Sequence, residues 1–592
     1  MSIITSKVSI RQLIIFHKMQ IIRLKYNGKG GKIMQEKYYR ATRFDNFREL
    51  IKSSSVKYGL KNAFCIKEKD GTYSYISYKR FGELYFTLCM RFIYQGFYGK
   101  ALAITGNNSV EWLLCYLTAS TVGVAVPIDK SLSGEDIIRL CGEADCAAIF
   151  ADNTLTKRIL PYSDKGFVHS LEECVKNSPP PTAAQRHEVN ALDIPRDKMQ
   201  VLIFTSGTTG GAKGVCLSQY NICTNIYQVS QIVKITASDK TISLLPLHHT
   251  YECTLNCLFM LSRGGCICFG GELATLAADL KGFSPTVMLT VPALLSYLSK
   301  RINNAIYKEI AERLAALPLM SDIRREKPTL SRFLSHIPFF LRDIISAKVK
   351  NTLGGRLRLI IVGAAAVEAQ LIEDFNALGI RTLQGYGLTE CSPLLAGNSD
   401  FFLDPSSAGR AVPGVALKII NSDENGVGEI AAKGDNIMLG YYNDPAATNE
   451  AMINGYFRTG DLGYTDENGA LFIKGRIKNV IVTPNGKNIY PEELEEKLLS
   501  SEIIAEAIVL KGTDHKGEEC VRAKVFPNRD KISQMLKHDP SEREIRDAVA
   551  RAIKEINELL PTFKRIRLTE ITDSEFERTS TNKIKRFGKN VE

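Results

Sequence analysis

The sequence predicts an α/β protein, with a large N-terminal domain of layered α/β subdomains and a small α+β C-terminal domain. Three observations carry this. Short apolar, β-branched runs alternate with helical patterns through most of the chain, as expected when ligand loops sit at strand ends. A loop dense in glycine and hydroxyl residues follows one of these runs. The texture then changes near Gly475-Arg476. A chain of 592 residues can bury more than one core. Its 44% hydrophobic and 24% charged content is ordinary for a globular protein.

Taken in order, residues 1–33 are basic and apolar, with seven cations, no acid and Met34 following. They lack a clean apolar core and a cleavage site. We read them as a dispensable extension, disordered or preceding a true start at Met34. Phe81–Phe92 has helical periodicity, Ala101–Thr105 reads as a strand, and Leu113–Pro127 reads as a buried helix followed by a strand, because Thr118, Ser120, Thr121 and Gly123 interrupt it. Ala147–Phe150, Val201–Phe204, Thr241–Leu245, Val287–Val291 and Leu357–Val362 are further strand runs, and Gln370–Leu378 is a helix. Residues 428–472 are turn-rich and β-like. Val480-Ile481-Val482 comes next, then a helix opening at Pro491, where proline followed by acids marks a helix start. The domain boundary falls near Lys478, giving 34–477 and 478–592.

The net charge of +12 is concentrated in two places. The extension holds seven cations, and residues 300–350 hold eleven bases against five acids. The second segment contains Phe333 to Leu341, so it suits an anionic membrane surface or two solvated helices with an apolar inner face. The bases form no recognisable nucleic-acid-reading module. The 14 cysteines are scattered without a C-x-x-C pair, which favours buried cytosolic thiols over disulfides or a zinc site.

Four motifs carry chemistry. Thr205-Ser206-Gly207-Thr208-Thr209-Gly210-Gly211-Ala212-Lys213 packs three glycines and four hydroxyls before its lysine. Backbone N–H groups and hydroxyls of such a loop can wrap a polyphosphate. It is not the nucleotide-kinase loop, which ends Gly-Lys-Ser/Thr. On composition alone it is equally a surface loop. Gln384-Gly385-Tyr386-Gly387-Leu388-Thr389-Glu390 offers backbone and a ring to a flat ligand, and a carboxylate suited to magnesium; a β-turn with a packed tyrosine is the plainer alternative. In Gly455–Gly463, Asp461 reads as an aspartate in a glycine-flanked turn able to accept both hydroxyls of a ribose, with Arg476 close behind; a hairpin turn is the alternative. The basic tail Arg578–Arg586 is a solvated end or a lysine delivered to an active site.

In this order and spacing the four motifs resemble the adenylate-forming superfamily of acyl-CoA synthetases, peptide-synthetase adenylation domains and luciferases, from about residue 40 onward. Leu245-Pro246-Leu247-His248-His249-Thr250-Tyr251-Glu252 is similar to the long-chain acyl-CoA synthetase version. The resemblance implies the adenylate-forming enzyme fold, in which the small C-terminal domain is mobile. It also implies fatty acid activation by ATP with magnesium, followed by transfer of the acyl group to coenzyme A. Thr205, Ser206, Gly207, Thr208, Thr209 and Gly210 would grip the β- and γ-phosphates, and Lys213 would order their loop. Gly363, Ala364, Ala365 and Gln384, Gly385, Tyr386, Gly387 would enclose adenine. Thr389 would touch the α-phosphate, Glu390 would hold magnesium, and Asp461 and Arg476 would bind ribose. Lys583 would bridge carboxylate and α-phosphate oxygens, and His249 would lie near the acyl carboxylate and thiol path.

Ala212 and Asn582 depart from the superfamily's usual proline and glycine, and Glu577 from a common proline, but no charged catalytic group is lost. Two other readings stand beside the coenzyme A ligase. One is an acyl-acyl carrier protein synthetase, or a ligase for another carboxylic acid, since the 300–350 segment suits an acidic carrier. The other is a non-catalytic nucleotide-binding regulator, against which Thr389, Glu390, Asp461, Arg476 and Lys583 argue. The expected location is cytoplasmic, including peripheral attachment at the inner face of a membrane.

Overall fold

The computed structural model describes residues 38–590 apart from 165, 177, 207–211, 272, 314–328, 338, 484–486, 515–516, 579–583 and 587. The basic extension, most of the phosphate-type loop and Lys583 therefore lie outside the described residues.

Among the described residues the largest sheet has nine strands. Its parallel centre runs Arg381–Gly387, Leu359–Val362, Val287–Thr290, Lys240–Ile242, Cys266–Phe269 and Asn62–Lys67, with antiparallel strands at both edges. A seven-stranded sheet is ordered Gly440–Tyr441, Ala212–Leu217, Val201–Ser206, Val124–Pro127, Ala101–Thr105, Cys146–Ala151 and Val168–Ser170. The helices Tyr78–Tyr94 and Val110–Val122 belong to one apolar core with strands of both sheets. Val110–Val122 is buried all round, with Trp112 only 1% exposed, so the long apolar run at Leu113 is an interior helix. Ser109 caps it by accepting from the Trp112 amide, and Gly123 ends it before Val124–Pro127 begins.

A third, antiparallel sheet built on Gly428–Lys433, Tyr456–Thr465 and Leu471–Arg476 accounts for the turn-rich stretch. Beyond the short turn Ile477–Asn479, a separate core starts at Ile481. It packs Pro491–Leu499 and Glu542–Glu558 on the three-stranded sheet Ile504–Thr513, Glu519–Pro527, Ile566–Ile571. The amphipathic helix Glu542–Glu558 opens on a full capping box between Ser541 and Glu544. This is the α/β fold that the alternating runs predict, with its smaller C-terminal domain.

Two local expectations change. The strand expected over Thr241–Leu245 ends at Ile242, because Ser243 to His249 leave the sheet as a loop held by side chains. Asp461 is not in a tight turn: it lies inside the strand Tyr456–Thr465, where Gly460 at φ +70° and an irregular register absorb the glycines. In the basic segment, Phe333, Leu334 and Val349 are buried while Phe339 and Ile344 are exposed, so these helices have both an apolar inner face and outward apolar side chains. All 14 cysteines are free thiols, and eleven of them are buried.

Candidate active site

The site is built at the C-terminal ends of parallel strands, where the chain leaves each strand for a loop. Leu359–Val362 delivers Gly363, Ala364 and Ala365, and its parallel neighbour Arg381–Gly387 delivers Gln384 to Gly387, with Val362 opposite Gln384. The Gly363 loop and the end of this second strand approach closely. A Cβ on Gly363 would lie 3.2 Å from both the Gly385 carbonyl oxygen and the Tyr251 hydroxyl, tighter than ordinary contact. A Cβ on Gly387 would lie 1.9 Å from the Pro393 carbonyl oxygen, so this position requires glycine. Ala364 sits at φ +69°, a left-handed conformation that costs a non-glycine residue energy and occurs preferentially at functional sites.

The Tyr386 hydroxyl donates to Asp461 Oδ2 at 2.7 Å, and Arg476 Nε donates to Asp461 Oδ1 at 2.9 Å. Asp461 and Arg476 are register partners on adjacent strands, so the pair is set by the sheet itself. Burial and the Asp461 carboxylate push the Tyr386 phenol well above its ordinary value. The same carboxylate raises the Arg476 guanidinium. Tyr386 and Asp461 thus belong to one cluster, which brings together residues 75 positions apart. Arg458, the arginine inside the Gly455–Gly463 motif, is committed elsewhere, donating from Nη2 to Glu429 at 2.7 Å.

A second cluster stands beside it. The Tyr441 hydroxyl donates to Glu390 Oε1 at 3.1 Å, and the Lys213 ammonium lies over the Tyr441 ring, 4.8 Å from its centroid. The Met438 amide donates to the Glu390 carbonyl at 2.7 Å. Tyr441 is the residue that sequence reasoning missed; it falls between the motifs and carries no spacing signal. Burial, then Glu390, raises its phenol. Lys213 is tied to the glycine-rich loop through the hairpin Val201–Ser206/Ala212–Leu217, where Thr205 pairs with Lys213 and Ser206 with Ala212. The Thr205 hydroxyl also donates to the Lys213 carbonyl at 3.3 Å. Gly207, Thr208, Thr209 and Gly210 lie outside the described residues.

Across the strand ends runs the Leu245–Glu252 stretch. The Tyr251 hydroxyl donates to the Thr290 carbonyl at 3.1 Å and the Ile361 carbonyl at 3.3 Å, anchoring the stretch over two strands. His249 is half-buried, its ring centroid 4.0 Å from that of His248. Burial holds the His248 imidazole down to about 4, with Asp129 opposing from 3.6 Å. Under Tyr251 lies a narrow apolar cleft of about 30 Å³ lined by Val229, Ile232, Leu255, Ile361, Leu383 and Leu394, with Gln384 and Gly385 at its edge.

In the C-terminal domain, Lys583 itself is outside the described residues, but residues on either side of it make defined contacts. Arg578 pairs with the buried Glu506 and bridges Ile584, and Arg586 pairs with Glu495.

The family model of the AMP-binding enzyme matches residues 55–442. The chain belongs to the AMP-binding enzyme family. The model of the AMP-binding enzyme C-terminal domain matches residues 478–588 of this AMP-binding enzyme. Its sequence is 29% identical to human long-chain-fatty-acid–CoA ligase 1 over 523 residues, 79% of this chain and 71% of that protein. It is 30% identical to long-chain-fatty-acid–CoA ligase ACSBG1 of Rattus norvegicus over 500 residues, 78% of this chain and 68% of that one. Among solved structures, o-succinylbenzoate CoA synthetase (MenE) from Bacillus subtilis in complex with its acyl-adenylate aligns with a TM-score of 0.69 at 20% identity, covering 92% of this chain and 98% of that one. ATP-bound MatB from Rhodopseudomonas palustris aligns at 0.69 and 22%, covering 91% and 97%. These two likenesses establish the fold. Among the described residues no helix is long and apolar enough to cross a membrane.

Proposed function

We propose that this AMP-binding enzyme activates a fatty acid with ATP, releasing pyrophosphate, and then transfers the acyl group to coenzyme A. The observation that carries the reading is the convergence of Asp461, Arg476, Tyr386, Glu390 and Lys213 beside an apolar cleft: a polar end for a nucleotide and a dry end for an alkyl chain. Asp461, oriented by Tyr386 and Arg476, accepts the ribose hydroxyls. The Gly363–Ala365 and Gln384–Gly387 backbones enclose adenine; their close packing depends on glycine at 363 and 387, where a Cβ would run into neighbouring protein atoms. Thr205 to Gly210 grip the outer phosphates and Lys213 orders that loop.

Glu390 is a lone carboxylate with Thr389 beside it. That donor set fits magnesium, which takes one or two carboxylates with substrate phosphates and retained waters. When bound, the ion neutralises phosphate charge. The substrate carboxylate attacks the α-phosphorus, so no side chain becomes a covalent nucleophile, and positioning and charge neutralisation do most of the catalysis. Lys583 stabilises the charge that develops between carboxylate and α-phosphate, and His249 borders the carboxylate and thiol path. Hinge motion near Lys478, between domains at 34–477 and 478–592, then withdraws Lys583 for thiol transfer.

The cleft, about 30 Å³, is narrow for an acyl chain as it stands. Side chains such as Leu394 and Leu255 must rotate to admit one. The test is carboxylate-dependent ATP–pyrophosphate exchange with magnesium across short, medium, long-chain and aromatic acids. Exchange peaking with long-chain acids is expected. A folded protein that binds ATP but exchanges with none of them would refute the reading and favour a regulator. Replacing coenzyme A by acyl carrier protein in the second half-reaction tests the acceptor.

A further inference from the structure

The Leu245–His249 loop is held by a buried polar chain in which no motif assigns a role. Glu252 is fully buried, and its Oε1 accepts the Ser243 hydroxyl at 2.6 Å and Asn256 Nδ2 at 2.8 Å. Ser243 Oγ in turn accepts from Asn108 Nδ2 at 2.9 Å. The same Asn108 amide donates to the Leu245 carbonyl at 2.6 Å, and its Oδ1 accepts the Leu247 amide at 3.2 Å. Asn108 therefore clamps the backbone on both sides of Pro246. From there the His249 amide donates to the Pro246 carbonyl at 3.1 Å, and the His249 carbonyl accepts from Cys253 at 3.0 Å. The loop before His249 and the helix after it are both referred to Glu252 and its partners.

The chain also joins the two large sheets. Asn108 follows Ala101–Thr105 of the seven-stranded sheet, whereas Ser243 follows Lys240–Ile242 of the nine-stranded one. Asn256 closes it from below, donating to the Ile242 carbonyl at 3.2 Å while accepting from Thr241 at 2.7 Å. The helical run then passes into a π-helical segment, Cys253–Leu258, of a kind frequently found at functional sites. A fully buried carboxyl is expensive, and burial pushes Glu252 up to about 7 against the opposing hydrogen bonds. A core that needed only filling would use an apolar side chain here.

We propose that Glu252 is a positioning residue for adenylate formation. Acting through Ser243 and Asn108, it fixes the Leu245–His249 backbone and so the place of the His249 imidazole at the acyl carboxylate. This rests on the fatty-acid-activating reading above. It requires an acceptor oxygen at Oε1 rather than a charge, so an amide serves in its place.

The test uses the full chain with Glu252→Ala, Glu252→Gln, Asn108→Ala and the Glu252→Ala/Asn108→Ala double variant. Hydrogen–deuterium exchange of peptides spanning 244–250 should accelerate at least tenfold in both alanine single variants and stay near wild type in Glu252→Gln. In ATP–pyrophosphate exchange, both alanine variants should lose at least tenfold in kcat with the KM for ATP within twofold. The double variant should lose no more than the worse single one, because both residues act through one chain. Unchanged loop exchange in the alanine variants, or a loss expressed in the KM for ATP, overturns the proposal; so does a Glu252→Gln protein as impaired as Glu252→Ala. If the wild type exchanges with no acid, the function reading has failed, and the loop protection still decides the clamp by itself. Should Glu252→Ala not fold, Ser243→Ala and Asn108→Ala carry the same two readouts.

Discussion

Glu252 and His248 make opposite and nearly equal demands on stability as pH changes. The Glu252 carboxyl is raised from 4.5 to about 7 by burial, so between those values the native state holds a proton that the unfolded chain has lost. Its contribution is fully present below pH 4.5 and is lost as pH rises through about 7. His248 is lowered from 6.5 to about 4, again by burial, so the unfolded chain binds the extra proton. Its contribution is present above pH 6.5 and is lost as pH falls through about 4. Each displacement is worth on the order of 3 kcal/mol. The two largely cancel between pH 4.5 and 6.5 in the wild type.

Single substitutions unmask them. Glu252→Gln should gain about 3 kcal/mol on the wild type as pH rises from 4.5 to 7, and His248→Gln should gain about as much as pH falls from 6.5 to 4. Trp112 is the sole tryptophan of the chain and is buried in the large domain. Urea unfolding followed by its fluorescence therefore reports that domain alone, and the linear extrapolation applies to one transition. Wild-type and variant stability curves that run parallel across pH 4 to 7 would refute the reasoning, since neither group could then be held away from its ordinary titration.

Other predictions follow from the site. Arg476→Leu removes the 2.9 Å donor from Asp461, and the KM for ATP should rise about tenfold or more, measured by exchange kinetics. Ile232→Trp fills the narrow cleft and should move the preferred acid to shorter chains while ATP affinity, read by calorimetry, stays unchanged. Lys583→Ala should abolish adenylate formation and spare thiol transfer from a supplied acyl-adenylate; equal loss of both would contradict that division.

Much of the fold was legible because strand signals in this chain are local. Ala101–Thr105 is apolar and β-branched within five residues, and its neighbours declare themselves by the same composition. The stretch at Leu113 was readable because three hydroxyls and a glycine interrupt it. Less was legible in the site. Asp461 and Arg476 were singled out, but a glycine on either side of Asp461 suggests a turn, and only pairing with two other strands makes that segment a bulged strand. Tyr441 was invisible for the same reason: its contact with Glu390 spans 51 positions and depends on a two-residue edge strand. Asn108 and Ser243 are common polar residues whose importance arises only when two sheets bring them within 2.9 Å.

The edge strand Gly440–Tyr441 has a mechanical consequence. It is laced to the returning arm of the glycine-rich hairpin, with Gly440 opposite Cys216, Tyr441 opposite Val215, and the Tyr442 amide donating to the Gly214 carbonyl at 2.7 Å. Tyr441 then reaches Glu390 from that same strand. A displacement of the strand Ala212–Leu217 is thus borne by its backbone pairing with Gly440–Tyr441 before it reaches a side chain. The spacing between the arm that carries Lys213 and the carboxylate of Glu390 is set like the gauge of a rail track, by the backbone pairing of two strands.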